Sequence, residues 1–192
     1  VALLSELRGQ PLPWIGLNDL ATAHRTCQLL LQAVDILHAL TPRMLAHPCA
    51  PGIHRVTLES ELQGILTCGG PWFEVPFFAT AVALLQTAVP QFPSPLVFSN
   101  GDYNPLNFLV ADDTLTGWID FEHACFEDPH IGFAKFVLWA DDDLGWGVGV
   151  KAGLVERYVY EHQVAPATFL VRLLLRGLRL IQVTDPSDPP RY

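Results

Sequence analysis

Apolar positions recur along most of this chain with the spacing of amphipathic helices. Between residues 17 and 40 they fall three or four apart until a Thr-Pro pair, which predicts a long helix capped by Asn18 or Asp19. The proline-rich segment 42–54 is predicted to be a loop. The helical spacing resumes in segments 57–67, 72–89, 133–140, 150–163 and 166–183.

The stretch from Leu96 to Pro129 breaks this helical pattern. A short apolar run leads into a polar loop, and two apolar segments, 108–110 and 118–121, then flank a turn. The turn is predicted to run through Asp112, Asp113 and Gly117, so that the order is strand, loop and β-hairpin. Asparagine, aspartate and glycine are common turn formers, so each of these polar residues alone also has a purely structural interpretation.

Asp120 is the residue that hairpin formation alone does not explain. It stands between Ile119 and Phe121 in a segment predicted as strand, where aspartate is depleted and is rarely buried without a partner. The hairpin would bring Asp120 beside Asn107 at one end of the sheet. Because an amide oxygen and a carboxylate suit magnesium, which also takes substrate phosphates, the pair predicts a magnesium site.

Composition limits the classes of function. The chain has 192 residues, of which 50% are hydrophobic and 16% charged, which favours one well-buried core. The net charge of −9 argues against a nucleic-acid partner and is compatible with a cationic substrate. No apolar run is long enough to cross a bilayer, the first ten residues lack the order of a secretory signal, and the four cysteines are scattered. We therefore expect a cytoplasmic protein with no membrane partner.

The order of residues around Asp102 resembles the aminoglycoside phosphotransferase and choline kinase-like family, which shares its core with the protein kinases. In that family His-Gly-Asp, four residues and Asn precede a hairpin that ends in Ile-Asp-Phe or Ile-Asp-Trp. Here Asn100-Gly101-Asp102 is followed by Asn107, and the hairpin ends in Ile-Asp-Phe at 119–121. Each element alone is a weak signal, whereas the ordered set is specific.

The resemblance implies a fold, a reaction and a set of roles. The fold would be α+β and predominantly helical, the large C-terminal lobe of a protein kinase-like enzyme with a small catalytic β-hairpin. The reaction would be ATP-dependent phosphorylation of a hydroxyl group on a small molecule. Asp102 would accept or orient the hydroxyl proton, and Asn107 and Asp120 would hold magnesium. Asn104 would contact phosphate, and Leu109 would form the apolar floor under adenine.

The first twelve residues resemble the linker that joins the two lobes of such kinases. On this interpretation Glu6 and Leu7 flank the nucleotide, although the same residues could form a frayed N-terminal strand. The expected division is a linker at 1–12, the lobe at 13–183 and a loose tail at 184–192. A GxGxxG loop and a lysine ahead of the site are absent, since the lysines are Lys135 and Lys151. We expect the full protein to contain an N-terminal lobe and this chain alone to be inactive.

Two positions depart from the family pattern. Asn100 replaces the histidine, and Gly132 replaces the second aspartate of Asp-Pro-x-x-Asp. The change at 100 is expected to alter how the loop is braced more than the chemistry, because that residue is not the base. The change at 132 removes the residue by which this region would brace the loop.

Several other positions have two interpretations. Asp141, Asp142, Asp143 and Glu127 could recognise a cationic substrate or form a solvated acidic loop. The aromatic stripe beginning at residues 72 and 73 is expected to be core, with amine recognition as the alternative.

On the helices, His38 is expected to be structural, because that helix face carries no second histidine or cysteine at metal spacing. Arg172, Arg176 and Arg179 are expected to form salt bridges on the surface.

Two functions of another kind remain open alongside the kinase interpretation. The chain could be a non-catalytic binding or regulatory domain derived from the same fold, which the departures at 100 and 132 would suit. It could also be a metal-dependent hydrolase that uses Asp102 and Asp120, in which case it would have phosphatase activity without ATP.

Overall fold

The computed structural model describes residues 8–12, 20–138 and 153–182. Helix α1 (Leu20–Ala39) forms where the apolar spacing predicts it and buries Leu30, Val34 and Leu37 completely. Its end is tied to the first strand of the site, because the Thr41 hydroxyl donates to the His38 carbonyl and accepts the Phe98 N–H at 2.8 Å. The predicted caps at 18 and 19 lie outside the described residues.

The segment predicted as a loop at 42–54 contains regular structure. Helix α2 (Thr41–Leu45) starts there with proline in its first turn, where the missing N–H costs no hydrogen bond. Strand β2 (His54–Val56) follows and pairs in parallel with a strand some seventy residues later. The loop prediction was wrong mainly at α2, because a five-residue helix is too short to show helical spacing, whereas β2 overlaps the predicted loop only at His54.

The next two helices follow the sequence closely. Helix α3 (Leu58–Cys68) begins with a capping box in which Thr57 and Ser60 exchange side-chain and backbone hydrogen bonds at 3.0 and 2.9 Å. The helix predicted at 72–89 starts later than expected, since residues 70–74 form a 3-10 turn and α4 is Pro76–Ala88. Proline at the first position of α4 sets that boundary.

Two three-stranded sheets frame the site. Strands β1 (Gln10–Pro11), β4 (Phe108–Ala111) and β5 (Thr114–Trp118) form an antiparallel sheet in the order β1-β4-β5. Strands β3 (Val97–Ser99) and β6 (Cys125–Glu127) pair with each other, and the order of that sheet is β2-β6-β3. The predicted β4–β5 hairpin is therefore present.

The hairpin turn is tighter than the sequence suggested. Asp112 and Asp113 both have left-handed backbone angles, with φ of 48° and 57°, as a two-residue hairpin turn requires. Gly117 belongs to β5, where it lies opposite Leu109, so its assignment to the turn was wrong. A two-residue turn suits the right-handed twist of the strands and leaves residue 117 in the ladder.

The last described helices are α5 (Ala134–Leu138), α6 (Leu154–Glu161) and α7 (Pro166–Gln182). They complete two apolar clusters, one under α1 and the strands and the other where α3 and α4 pack on α7. The described part of the chain is an α+β fold that is predominantly helical, as predicted. None of its helices is both long enough and apolar enough to span a membrane.

Arg172 does not lie on the surface, contrary to expectation. It is completely buried and its Nη2 lies 2.7 Å from Oδ2 of Asp128, which is also buried. Residue 172 stands three positions from both Phe169 and Leu175, so it shares their inward face of α7. Arg179, which is seven residues further along α7, forms the partly exposed ion pair expected of it, with Glu61 at 3.4 Å.

Candidate active site

The loop between β3 and β4 is held by its own polar groups. The Asn100 side chain, which is fully buried, donates to the Asp102 carbonyl at 2.9 Å and accepts the Asp102 N–H at 3.3 Å. The buried Ser99 hydroxyl accepts the Gly101 N–H at 2.9 Å. Asparagine favours such local side-chain to backbone bonds, so Asn100 shapes the loop from within.

The Asp102 carboxylate is oriented by two donors from the same loop. Its Oδ1 accepts the Asn104 N–H at 3.2 Å, and its Oδ2 accepts from Nδ2 of Asn107 at 3.4 Å. Nδ2 of Asn107 also donates to the Asp102 carbonyl at 3.2 Å. Asn104 caps the short 3-10 turn at 105–107 through the Leu106 N–H. The loop therefore fixes Asp102 and Asn107 as a pair.

The hairpin brings Asp120 to this pair. The Asn107 carbonyl accepts the Ile119 N–H at 2.9 Å, directly beyond the Phe108–Trp118 rung of the ladder. Asp120 is the next residue after Ile119, so this backbone hydrogen bond holds it close to the loop. Three residues that the sequence predicts to act together lie on adjoining segments of the backbone.

Asp120 itself is not within a strand, so that part of the sequence prediction was wrong. Strand β5 ends at Trp118, and Asp120 is exposed with a left-handed φ of 61°. Aspartate tolerates this conformation better than most residues, which gives it a local structural reason to occur there. The conformation also turns the chain out of the sheet and leaves the carboxylate at the surface of the site.

Glycine at 101 allows the loop to approach the turn that follows Asp120. A Cβ at this position would lie 2.1 Å from the His123 carbonyl oxygen, and φ of Gly101 is 83°. Both features exclude a side chain. The two halves of the site are therefore in direct backbone contact at this point.

The chemistry of the donor set fits magnesium. Asn107 makes the two bonds described above through its nitrogen, and neither involves Oδ1, while Asp120 presents an exposed carboxylate. A hard amide oxygen and a carboxylate are ligands that Mg²⁺ accepts when phosphates supply further oxygens. Among the described residues no group of three or more His, Cys, Asp or Glu could hold a metal ion, so this donor set relies on the amide.

Other predicted positions lie around the site or outside the described residues. Leu109 is buried in β4, the central strand of its sheet, opposite Pro11 of β1. Glu6, Leu7 and residues 141–143 are not among the described residues. Glu127 is buried in β6, at 8% exposure, so it is not part of a solvated acidic loop.

Of the aromatic residues considered for amine recognition, Trp72 is buried against Phe78. Phe73 is partly exposed and meets the same ring edge-on. Trp72 is therefore part of the core beside α4, as expected, whereas Phe73 contacts that core and has 37% of its surface exposed.

The sequence interpretation did not identify Tyr103 as part of the site. Its side chain is buried and its hydroxyl lies 2.7 Å from Nε2 of His38, 65 residues earlier in the chain. Burial, with the charges of His162 and His130, lowers the pKa of His38 to about 4, and burial raises the pKa of Tyr103 well above its usual value. Both groups are therefore neutral near pH 7. A large aromatic residue within an otherwise polar loop is the signal that could have pointed to it.

Solved structures with a similar fold are aminoglycoside phosphotransferases. A thermostable mutant of APH(4)-Ia, in a ternary complex with ADP and hygromycin B, matches with a TM-score of 0.62 and 14% identity over 92% of this chain and 62% of that one. APH(3'')-Id from Streptomyces rimosus matches with a TM-score of 0.55 and 18% identity over 89% of this chain and 66% of that one. The type VIII aminoglycoside-3'-phosphotransferase has the same TM-score and identity, over 90% and 66%.

These structures establish the fold, and the predicted kinase-like lobe is confirmed. The chain spans 62% of the length of the APH(4)-Ia structure. No curated protein matches the sequence. A family model described as the phosphotransferase enzyme family matches residues 1–167, and the chain belongs to that family.

Proposed function

We propose that this chain is the catalytic lobe of an ATP-dependent kinase that phosphorylates a hydroxyl group of a small molecule. The observation that carries the proposal is the arrangement of Asp102, Asn107 and Asp120. The first two are hydrogen-bonded to each other, and the third follows a residue whose N–H is bonded to the Asn107 carbonyl. Phosphoryl transfer requires little of a protein beyond positioning and charge stabilisation, which such a fixed constellation supplies.

Asp102 would act on the acceptor hydroxyl. The hydroxyl oxygen forms a bond to the γ-phosphorus while the bond from that phosphorus to the β-γ bridging oxygen breaks, and the hydroxyl proton passes to the Asp102 carboxylate. The donors from Asn104 and Asn107 hold that carboxylate in one orientation. General-base assistance of this kind contributes about 100- to 10,000-fold in rate.

Asn107 and Asp120 would bind the magnesium that accompanies the nucleotide. Bound magnesium-ATP supplies the phosphoryl group and neutralises the charge that develops on the leaving phosphates. Asn104 would contact a phosphate and Leu109 would lie under the adenine ring.

The linker would complete the nucleotide cleft. Residues 1–12, with Glu6 and Leu7 beside the nucleotide, would connect the lobe at 13–183 to an N-terminal lobe encoded upstream, and 184–192 would form a tail. On this proposal the 192-residue chain alone is inactive.

The acceptor would be a small hydroxylated molecule with cationic character. The net charge of −9 favours approach of a cation, and the APH(4)-Ia structure contains hygromycin B. Aminoglycosides and choline-like amino alcohols are therefore the first acceptors to test. A cytoplasmic location would supply the ATP.

Turnover of the natural protein that contains this chain tests the proposal. ADP release is measured with a panel of amino sugars and amino alcohols, for the wild type and for Asp102→Asn, Asp102→Ala and Asp113→Asn. We expect both Asp102 variants to lose at least about 100-fold in kcat while ATP affinity is largely kept. Asp113→Asn, an exposed aspartate in the hairpin turn, should match the wild type.

Other outcomes would contradict the proposal. Full turnover by Asp102→Ala would show that the base is assigned wrongly. Ligand binding without turnover in the wild type would indicate a non-catalytic domain. Phosphatase activity in the absence of ATP would indicate a hydrolase.

A further inference from the structure

Tyr103 points away from the reacting side of its loop. Its neighbour Asp102 is partly exposed at the site, whereas the Tyr103 side chain has only 1% of its surface exposed. The hydroxyl lies 2.7 Å from Nε2 of His38, and the ring centroid lies 5.5 Å from that of Phe133. Asp102 therefore faces the site, and the adjacent Tyr103 anchors the loop in the core.

The Tyr103 ring occupies the space that a side chain at position 132 would need. A Cβ built on Gly132 would lie 2.4 and 2.5 Å from two carbons of that ring. Real Cβ atoms do not approach other atoms so closely, and the ring has no free space to move because it is buried and hydrogen-bonded. An aspartate at 132, as the family pattern has it, is incompatible with this position of Tyr103.

His38 is a fixed anchor for the tyrosine. It lies in the last turn of α1, and its carbonyl accepts the Thr41 hydroxyl, which in turn accepts the Phe98 N–H of β3. The bond to Tyr103 therefore connects the loop to a helix that is itself tied to the strand leading into the loop. Buried hydrogen bonds with both partners rigidly held fix geometry as well as adding stability.

We propose that Tyr103 and His38 are positioning residues for Asp102. Their hydrogen bond and the packing of the tyrosine ring on Gly132 hold the loop in place of the histidine and aspartate that the family pattern has at 100 and 132. Asn100 forms the inner bonds of the loop, and the tyrosine supplies its attachment to the core. The role in catalysis rests on the proposed function, whereas the role in holding the Asp102 carboxylate does not.

Removing one oxygen atom tests this inference. Tyr103→Phe deletes the bond to His38, together with the hydrogen bond of the same hydroxyl to Ser99, and keeps the ring against Gly132. His38→Leu removes only the first of these bonds. Tyr158→Phe is the control for loss of a buried tyrosine hydroxyl, because Tyr158 is equally buried and lies in the same cluster. Its hydroxyl lies 2.7 Å from Nδ1 of His130 and donates to the Pro129 carbonyl at 2.8 Å, so this variant leaves the bond between His38 and Tyr103 in place. His38→Gln retains a hydrogen-bonding group close to the position of Nε2, and His38→Leu does not.

Two measurements are made on each variant of the natural protein that contains this chain. Amide hydrogen exchange at Asn104 reports directly on the carboxylate, since this N–H donates to Oδ1 of Asp102. The second measurement separates kcat from KM for magnesium-ATP. In Tyr103→Phe and His38→Leu we expect exchange at Asn104 to accelerate and kcat to fall, each about tenfold, with KM changed less than about twofold. Tyr158→Phe and His38→Gln should remain close to the wild type in both.

The outcomes separate the two proposals. If Tyr103→Phe changes the exchange at Asn104 and kcat no more than Tyr158→Phe does, the positioning role is refuted. If the wild type has no turnover, the proposed function fails and the exchange rates alone decide whether Tyr103 and His38 hold the carboxylate.

Discussion

Breaking the buried ion pair between Arg172 and Asp128 should destabilise the fold strongly. Arg172 is completely buried and Asp128 has 1% of its surface exposed, so water cannot solvate whichever charge is left. Removing one member of such a pair costs about 3–5 kcal/mol, which at about 3 °C per kcal/mol lowers Tm by roughly 9–15 °C for a domain of this size. Arg172→Met keeps the apolar stem and removes the charge.

The pair should show strong coupling in a double-mutant cycle. Asp128→Asn keeps an oxygen for the N–H groups of His130 and Ile131, which Asp128 accepts at 2.9 and 3.2 Å. It leaves the Arg172 guanidinium without a charged partner, so that its acceptors are neutral groups such as the Phe92 carbonyl at 2.8 Å. In Asp128→Asn/Arg172→Met neither charge is left unpaired, so the double variant should be more stable than the sum of the single losses predicts, by about 1–3 kcal/mol.

The contribution of Asp128 to the free energy of unfolding should decrease as the pH falls. Burial alone would raise the pKa of Asp128, but hydrogen bonds from Arg172, Ser94 and the His130 backbone outweigh it and lower the pKa below 3.8. A lowered folded-state pKa contributes stability that is complete above the unfolded value and is lost as the pH falls through the folded value. The wild type should therefore lose this contribution below about pH 4, where Asp128→Asn loses none.

Thermal and urea unfolding of the four proteins in this cycle, followed by circular dichroism between pH 3 and pH 7, measures both effects. Strict additivity of the two single losses, or a loss under about 1 kcal/mol in Arg172→Met, would refute the assignment of a buried, coupled pair.

Two further predictions concern glycines that contact other groups. Gly101→Ala should lower Tm and displace the loop, since its Cβ would lie 2.1 Å from the His123 carbonyl oxygen and φ is 83°. Gly52→Ala should leave Tm unchanged, because a Cβ there meets open space and φ is ordinary. Equal melting curves for the two variants would contradict the close approach at Gly101. Gly132→Ala should cost less in urea unfolding when Tyr103→Leu is also present, because the shorter side chain relieves the clash. Equal costs in both backgrounds would show that the tyrosine ring is not the obstacle.

Local sequence signals predicted the parts of the site that lie close together along the chain. The hairpin follows from two apolar segments around Asp112 and Asp113, whose types suit left-handed turn positions. The roles of Asp102 and Asn107 were indicated by the resemblance to the kinase family, and the hydrogen bond of 3.4 Å between their side chains is a finding of the structure. The strand assignment of Asp120 failed because a short apolar segment does not report backbone φ, which is left-handed there.

Contacts between distant segments could not be predicted in the same way. Strand β2 exists because it pairs with β6, and its own three residues carry no distinct pattern. The bond between His38 and Tyr103 joins residues 65 positions apart. Only part of the environment of Arg172 could be predicted. Its place on the apolar face of α7 is visible in the sequence, whereas its partner Asp128 is identified by the fold.

The central claim is that Asp120 belongs to a magnesium-nucleotide site, and calorimetric titration of magnesium-ATP tests it most directly. The natural protein that contains this chain is titrated as wild type, Asp120→Asn and Asp112→Asn. Both aspartates are exposed and left-handed, at φ of 61° and 48°, and asparagine tolerates that conformation, so the two changes are matched in structure.

We expect Asp120→Asn to weaken magnesium-ATP binding by at least about tenfold, because a neutral amide would replace the carboxylate that we propose binds the cation. Asp112→Asn should bind as the wild type does. Equal affinity of the wild type and Asp120→Asn would contradict the account, as would the absence of any magnesium-dependent nucleotide binding by the wild type.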